Sequence, residues 1–398
     1  MDFTIKPEIQ AMREQILTFL ETKIYPIEAE LFRYNEEEYP NCAEDHPTVR
    51  ALQAEVKQMG LWAGHLPAEA GGIGLTVLEY ALLNEIIGRS YFAPRIFGSN
   101  APDSGNAEIL WHFGTAEQKE KYFWPLQRGD VRSFFGMTEP DVSGADPRHL
   151  QTTARRDGDD WVINGRKWYS TNANGAAFGI VMAVTDPDAS TYRRQSQIIV
   201  PADTPGFKLV RPISVMGHTT GPGHWEVAFE EARVPVGNTL GQPGDGFAIA
   251  QSRLGPGRIH HCMRWLGQAQ RAFDLMCRYA KTRHAFGGPL ADKQTVQNWI
   301  ADSYAEMQAA RMLTLQAAWK IDRLGQKEAR VDISLIKFYG ANMLMNVLDR
   351  AIQVHGGLGV SDDTPLAAMW RQGRAARIYD GPDEVHRMVV SRRILKLY

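Results

Sequence analysis

The sequence predicts an α+β chain in consecutive segments: an N-terminal α-helical domain over 1–130, a middle β domain over 131–240 and a C-terminal helical bundle domain over 241–398. Shifts in hydrophobic period carry this reading. From Pro7 to about Gly129 the apolar residues recur at helical spacing, as in Leu17, Leu20, Ile24 and Ile27, with breaks such as Ala70-Gly71-Gly72-Ile73-Gly74. Between Val131 and about Thr239 the pattern becomes short and alternating. There Trp161-Val162-Ile163, then Asn164-Gly165, then Arg166-Lys167-Trp168-Tyr169 reads as a hairpin with a two-residue turn. The runs 179–184, 197–200 and 225–229 continue the strands. After Gly246 helical spacing returns. Residues 291–324 are predicted to form one helix about 50 Å long, and Leu335, Tyr339, Met343, Val347, Ala351 and Val354 form one apolar stripe. Helices of that length pack in bundles.

Composition narrows the function classes. The chain has 398 residues, of which 44% are hydrophobic and 23% charged, the balance of an ordinary globular protein. Its 44 Lys and Arg nearly cancel 46 Asp and Glu, so no strong field draws it to nucleic acid or to a membrane surface. Cys42, Cys262 and Cys277 are far apart and form no C-x-x-C pair, which argues against a disulfide framework or a structural zinc site. No basic segment followed by an apolar run opens the sequence, no stretch is long and apolar enough to span a bilayer, and the chain ends Lys396-Leu397-Tyr398 rather than S-K-L. A cytoplasmic location is the expectation.

Several common sites are missing from the pattern. There is no G-x-G-x-x-G after a strand, no Walker A loop and no H-E-x-x-H, which disfavours a Rossmann site, a P-loop and a zincin. His260 and His261 are adjacent, so on a helix they point in different directions, and no metal site is expected. Other segments form a specific series. Phe135-Gly136-Met137-Thr138-Glu139-Pro140 enters the β domain, and Lys167-Trp168-Tyr169-Ser170-Thr171-Asn172 follows the expected hairpin. Arg283-His284-Ala285-Phe286-Gly287 ends a helix. Ile352-Gln353-Val354-His355-Gly356-Gly357 and Ile378-Tyr379-Asp380-Gly381-Pro382-Asp383-Glu384 come later.

In this order and in these segments the motifs resemble the acyl-CoA dehydrogenase family over nearly the whole chain. The stretches 255–264 and 380–386 look most like the branch of mammalian members fused to a kinase-like domain, without that extra domain. The resemblance implies the acyl-CoA dehydrogenase fold, with a barrel-like β domain and a C-terminal four-helix bundle. It implies FAD, held by Phe135, Met137, Thr138, Tyr169 and Thr171. Tyr169 stands where most relatives have a tryptophan. An arginine fork for the pyrophosphate maps to Arg283, supplied from a second subunit. Phe286, Gln294 and Gln353 map to dinucleotide contacts, and Gly356 and Gly357 would let backbone approach the cofactor. The resemblance also implies a homotetramer, or at least a dimer, with electron-transfer flavoprotein as redox partner.

The same resemblance places the catalytic base at Asp380, before Gly381, where the family usually has glutamate. In branches that carry the base on an earlier helix, the matching position here is Gly257, which has no side chain. Removing a proton alpha to a thioester needs a carboxylate against that carbon and hydrogen bonds on the carbonyl oxygen. Asp380 and the backbone N–H of the turn with Gly381 are the matching groups, and Arg258 supports the substrate end. The expected reaction is α,β-dehydrogenation of an acyl-CoA to a trans-2-enoyl-CoA in fatty-acid β-oxidation. Alternatives are the same proton abstraction from a nitroalkane or a γ-substituted acyl-CoA, and a flavin-binding scaffold with little turnover. A helix-capping role is the competing reading for Asp380.

Overall fold

The computed structural model describes residues 4–219 and 223–398; residues 1–3, part of the N-terminal stretch read for targeting, lie outside it. The first part of the chain is helical: α1 (Pro7–Phe19), α2 (Glu28–Glu37), α3 (Tyr39–Cys42), α4 (Pro47–Gln58), α5 (Val77–Ile87), α6 (Ala93–Ile96), α7 (Asp103–Phe113), α8 (Ala116–Gln118) and α9 (Trp124–Gln127). Strands follow: β1 (Ser133–Gly136), β2 (Thr153–Asp157), β3 (Asp160–Thr171), β4 (Phe178–Val184), β5 (Gln195–Pro201), β6 (Phe207–Ile213), β7 (His224–Pro235) and β8 (Thr239–Leu240). Helices then return as α10 (Gly246–Thr282), α11 (Gln294–Leu324), α12 (Arg330–His355), α13 (Leu366–Arg374) and α14 (Asp383–Ile394). A small hairpin, β9 (His284–Ala285) with β10 (Gly288–Pro289), interrupts them. The helical, β and helical order is the predicted one.

Compactness groups the chain into two units: Met1–Pro26 with Leu75–Pro94 and Gly255–Tyr398, and Ile27–Gly74 with Arg95–Leu254. The second unit is built on a sheet of order β6-β7-β3-β2-β4-β5-β8, with β1 added in parallel beside β4. Period-two alternation sends side chains to two separate apolar clusters. Ile198 and Val200 join Phe134, Trp161, Ile163 and Val227, whereas their neighbour Ile199 joins Leu110, Phe123, Phe178 and Ile180. Strands β4 and β5 are therefore buried on both faces, while β6 and β2 are largely exposed.

One sequence expectation about this sheet is corrected. Asn164-Gly165 is not a hairpin turn; β3 runs through it, and the turn lies at Gly158-Asp159, where Asp157 pairs with Asp160. The dipeptide instead forms a bulge, with a register shift between Ile163 and Gly165 against β7. Asn164 grips β7 through Nδ2 to Glu231 Oε1 at 2.6 Å and accepts the Glu231 N–H at 2.9 Å. Gly165 sits at φ +149°, and a Cβ there would lie 2.5 Å from Thr152 Oγ1. The dipeptide's local preference for a turn is overruled by this close approach.

The first unit packs α10, α11 and α12 around Met263, Leu266, Ala269, Met307, Ala310, Ala317, Leu344 and Val347. The helix expected over 291–324 begins at Gln294 and has 31 residues. Of the predicted stripe on α12, Met343, Val347, Ala351 and Val354 are buried, while Leu335 and Tyr339 lie at its partly buried margin. The N-terminus of α5 is satisfied twice. Thr76 and Glu79 form a capping box, and Asp322 of α11 accepts the N–H groups of Val77 and Leu78 at 2.9 Å each.

Gly165→Ala is expected to lower stability by about 1–3 kcal/mol, from the crowded Cβ and the disfavoured φ. Urea unfolding measures this, and an unchanged midpoint would refute the bulge's dependence on glycine.

Candidate active site

In the sheet-containing unit, Phe135, Met137, Thr138, Tyr169 and Thr171 gather at the ends of β1 and β3. The Trp168 N–H donates to Thr138 O at 3.0 Å, which joins the loop after β1 to β3. Beneath them lies a buried ion pair: Lys167 Nζ donates to Glu139 Oε1 at 2.8 Å and to Met137 O at 3.0 Å. Glu139 also accepts the N–H groups of Gln151 at 2.6 Å and Thr152 at 2.9 Å. Burial pushes the Lys167 ammonium down to about 8, against the pull of Glu139. Burial works against the Glu139 carboxylate too, yet the Lys167 charge and hydrogen bonds hold it below the usual range. This pair fixes the loop without offering either charge to solvent.

The strand end is distorted where it matters. The register of β3 shifts between Lys167 and Ser170, and Tyr169 and Asn172 both have left-handed φ, +52° and +69°. The shift turns the Tyr169 ring outward, 46% exposed. Thr171 Oγ1 is hydrogen-bonded to His224 Nδ1 at 2.8 Å, and burial lowers the basicity of that imidazole. Asn172 Nδ2 donates to Asp103 Oδ2 at 3.3 Å, while the Ser133 N–H donates to the other oxygen at 2.8 Å. Sequence reasoning missed Lys167, Glu139, Asp103 and His224 as supports, since their partners are strand neighbours or distant in the chain.

In the other unit, the remaining cofactor candidates occupy two exposed places. Arg283 and Phe286 belong to the β9–β10 hairpin, whose tip residues Phe286 and Gly287 have φ +49° and +81°, the pairing a two-residue turn demands. The Phe286 ring is 99% exposed, and Gln294 opens α11 close by in the chain. Gln353, Gly356 and Gly357 lie at the end of α12, where Gly356 at φ +60° terminates the helix. A Cβ on Gly356 or Gly357 would meet nothing within 4 Å, so both glycines leave open backbone. Open glycine backbone, an outward aromatic and an exposed guanidinium in this unit, and the half-buried Thr138 and Thr171 hydroxyls of the sheet-containing unit, are each the kind of group that a large polar dinucleotide with a flat ring uses. The residues present fit FAD.

Asp380 lies in the tight turn before α14. It has φ +55°, unusual for a residue with a side chain, and Gly381 follows at +98°. The turn is held by donors from distant elements. Arg258 of α10 donates through Nε at 3.1 Å and Nη2 at 3.0 Å to Asp380 O, and His386 Nε2 reaches the same oxygen at 3.1 Å. Lys337 of α12, fully buried, donates to Ala376 O at 2.7 Å and Gly381 O at 3.1 Å. The Asp380 carboxylate meets His261 Nε2 at 3.0 Å. No side-chain hydrogen bond caps the N-terminus of α14, so the capping role for Asp380 is not what the structure shows. Gly257 faces open space, with nothing within 4 Å of an added Cβ.

The two histidines of α10 point apart, as adjacent helical residues must. His260 packs edge-on against Tyr80 with ring centroids 5.0 Å apart, and His261 faces the turn. Arg258 thus acts here through the Asp380 backbone. Around the turn, burial lowers the basicity of Lys337 and His261. Burial, followed by the Arg258 charge, pushes His386 from 6.5 down to about 4.

A depressed histidine value means that the folded protein binds fewer protons than the unfolded chain. Its contribution to stability is therefore complete above about pH 6.5 and is lost as pH falls through about 4. Thermal melts of the unaltered protein are expected to weaken through that window more steeply than those of His386→Gln. Parallel curves would refute the buried neutral imidazole.

Comparison with known proteins matches the chain in consecutive pieces. The acyl-CoA dehydrogenase N-terminal, middle and C-terminal domain models cover residues 6–130, 134–232 and 244–395. The chain is 46% identical to a Mycobacterium tuberculosis protein named "Probable acyl-CoA dehydrogenase FadE2", over 98% of this chain and 96% of that one. It is 43% identical to acyl-CoA dehydrogenase family member 11 of Mus musculus, over 97% of its own length and 50% of that protein's. The chain thus spans half of that mammalian relative. A solved structure from Mycobacterium abscessus, named for the same activity, superposes with a TM-score of 0.94 at 42% identity, covering 100% of both chains.

Proposed function

The chain belongs to the acyl-CoA dehydrogenase family of flavin-dependent oxidoreductases, and we propose that it introduces a trans α,β double bond into an acyl-CoA with Asp380 as the base. The observation that carries this is a carboxylate on a left-handed turn residue whose backbone carbonyl is held by Arg258 and His386. Strain of that kind persists only where surrounding contacts enforce it. FAD, when bound, supplies the acceptor for the β hydride. Phe135, Met137, Thr138, Tyr169 and Thr171 would hold its ring, Thr138 and Thr171 through their hydroxyls and Tyr169 through its outward aromatic side chain.

Asp380 takes the α proton on its carboxylate. The thioester carbonyl is oriented by backbone N–H of the turn that includes Gly381, while Arg258 keeps that turn in place at the substrate end. Arg283, Phe286, Gln294, Gln353, Gly356 and Gly357 serve the dinucleotide portion. Arg283 and Phe286 act from a second copy of the chain, in a homotetramer, and electron-transfer flavoprotein reoxidises the enzyme. Boundaries near 130 and 240 separate the N-terminal, middle and C-terminal domains. Among the described residues no helix is long and apolar enough to cross a membrane; the cytoplasm is the proposed compartment.

Asp380→Asn is expected to retain the flavin spectrum and to lose at least about 10³-fold in the rate at which acyl-CoAs bleach it anaerobically. Undiminished bleaching would remove Asp380 as the base. An aspartate in place of glutamate also suits abstraction from a nitroalkane, and oxygen uptake driven by a nitroalkane but not by acyl-CoAs would favour that second substrate class.

Arg283→Ala is expected to weaken FAD retention by about tenfold or more while leaving the melting temperature of the flavin-free protein within about 2 °C. Sedimentation of a fully FAD-loaded monomer would overturn the intersubunit role.

A further inference from the structure

Resting on the reading of Asp380 as the base, we propose that His261 is a positioning residue for it. Its imidazole, locked in one tautomer by Arg264, donates Nε2–H to a carboxylate oxygen of Asp380 and sets the orientation in which that side chain meets the substrate.

The tautomer follows from the partners. Arg264 Nη2 lies 3.3 Å from His261 Nδ1, and a guanidinium can only donate, so Nδ1 is the acceptor. In the neutral ring the proton then resides on Nε2, which lies 3.0 Å from Asp380 Oδ2. Burial lowers the imidazole's basicity, with the Asp380 hydrogen bond opposing, and the Arg264 and Lys337 charges act in the same direction as burial. The ring is also clamped. It stacks near Trp265 at 6.1 Å with planes 23° apart and lies 5.0 Å from the ring of Tyr379, whose hydroxyl accepts the Trp265 N–H at 2.8 Å.

The charged and titratable groups surrounding His261 and the Asp380 turn include Arg258, Cys262 and Arg264 on α10, and Arg330 and Lys337 on α12. Tyr379 and Asp380 are in the turn, and Asp383 and His386 are on α14. Arg258 and His386 are engaged by the Asp380 backbone carbonyl, and Lys337 by the carbonyls of Ala376 and Gly381. Asp383 accepts from Asn342 at 2.9 Å and Arg377 at 2.8 Å. His261 Nε2 stands at hydrogen-bond distance from the Asp380 carboxylate, with its other nitrogen already taken up by Arg264.

The chemistry gives this bond two effects. An aspartate has one methylene less than glutamate with which to reach the substrate, so the angle of its carboxylate matters more, and a fixed donor on one oxygen sets that angle. A donor to a carboxylate also favours the charged form, so the base stays ionised to lower pH.

The test uses the FAD-loaded enzyme with His261→Phe and His261→Gln, following anaerobic bleaching by a saturating acyl-CoA as a function of pH. His261→Phe is expected to keep the flavin, to lose roughly 10- to 100-fold in limiting rate with little change in half-saturating substrate, and to move the acid limb up by about one pH unit. His261→Gln retains an N–H donor and is expected to recover most of the rate and the original acid limb. His261→Leu replaces the Phe variant if that one does not fold. A Phe or Leu variant with the unaltered rate and acid limb, or a Gln variant as slow as either, would overturn the proposal. Asp380→Asn in the same assay separates the two readings. Bleaching by that variant sinks the base assignment, whereas its inactivity beside a fully active His261→Phe sinks only the role of His261.

Discussion

The turn at Asp380 governs the arrangement of the helical unit. An L-residue at φ +55° is held against its own preference, and what holds it is a set of cationic side chains ending on backbone carbonyl oxygens. A carboxylate partner would neutralise such a cation and add a charge of its own. Carbonyls accept the hydrogen bonds and add none. Arg258 and Lys337 therefore fix the backbone of the turn through neutral acceptors. The helices that carry these donors must then be packed firmly, which is why the bundle core and the turn cannot be considered separately.

The sheet unit solves a similar problem by a different route. Its loop after β1 is fixed by a complete buried ion pair, with both backbone N–H donors and a carbonyl acceptor supplied. Breaking one half of such a pair leaves an uncompensated buried charge, so it acts as a strict constraint on register. That constraint carries the bulge at Tyr169 beside it. A regular β3 would alternate its side chains strictly, and the displaced register is what lets the Tyr169 ring face out while Lys167 and Ser170 stay buried.

Much of this organisation was legible in the sequence, and the parts that were not share a cause. Hydrophobic period alone gave the helical and β segments, because burial on a helix or strand repeats locally. Asn164-Gly165 misled because the same dipeptide suits a hairpin turn and a bulge; the choice was made by Thr152 and Glu231, which no local pattern contains. Asp380 could be singled out from its motif and family resemblance. Arg258 is legible in the same way as a residue of the substrate end, but its grip on the Asp380 carbonyl from 122 positions away, and that of Lys337 on Gly381 from 44, is contained in no local pattern. His261 was set aside with His260 as a non-metal pair, correctly on direction, yet what it faces could only be seen once α10 and the turn were placed. The residues matched to the dinucleotide, Arg283, Phe286, Gln294, Gln353, Gly356 and Gly357, are exposed in the structure.

The alanines of the bundle set a mechanical tolerance. Ala310, Ala317 and Ala318 of α11 and Ala341 and Ala351 of α12 are buried at 2% exposure or less, in the same core as Met307, Leu344 and Val347. At those positions only a Cβ atom fills the core, and it cannot rearrange as a longer side chain does. One added methylene at such a contact would push the axes apart by an amount comparable to the slack in a hydrogen bond. The placement of the Asp380 turn is in this sense tied to residues that carry no chemistry of their own, and a shift in it can originate far from the turn.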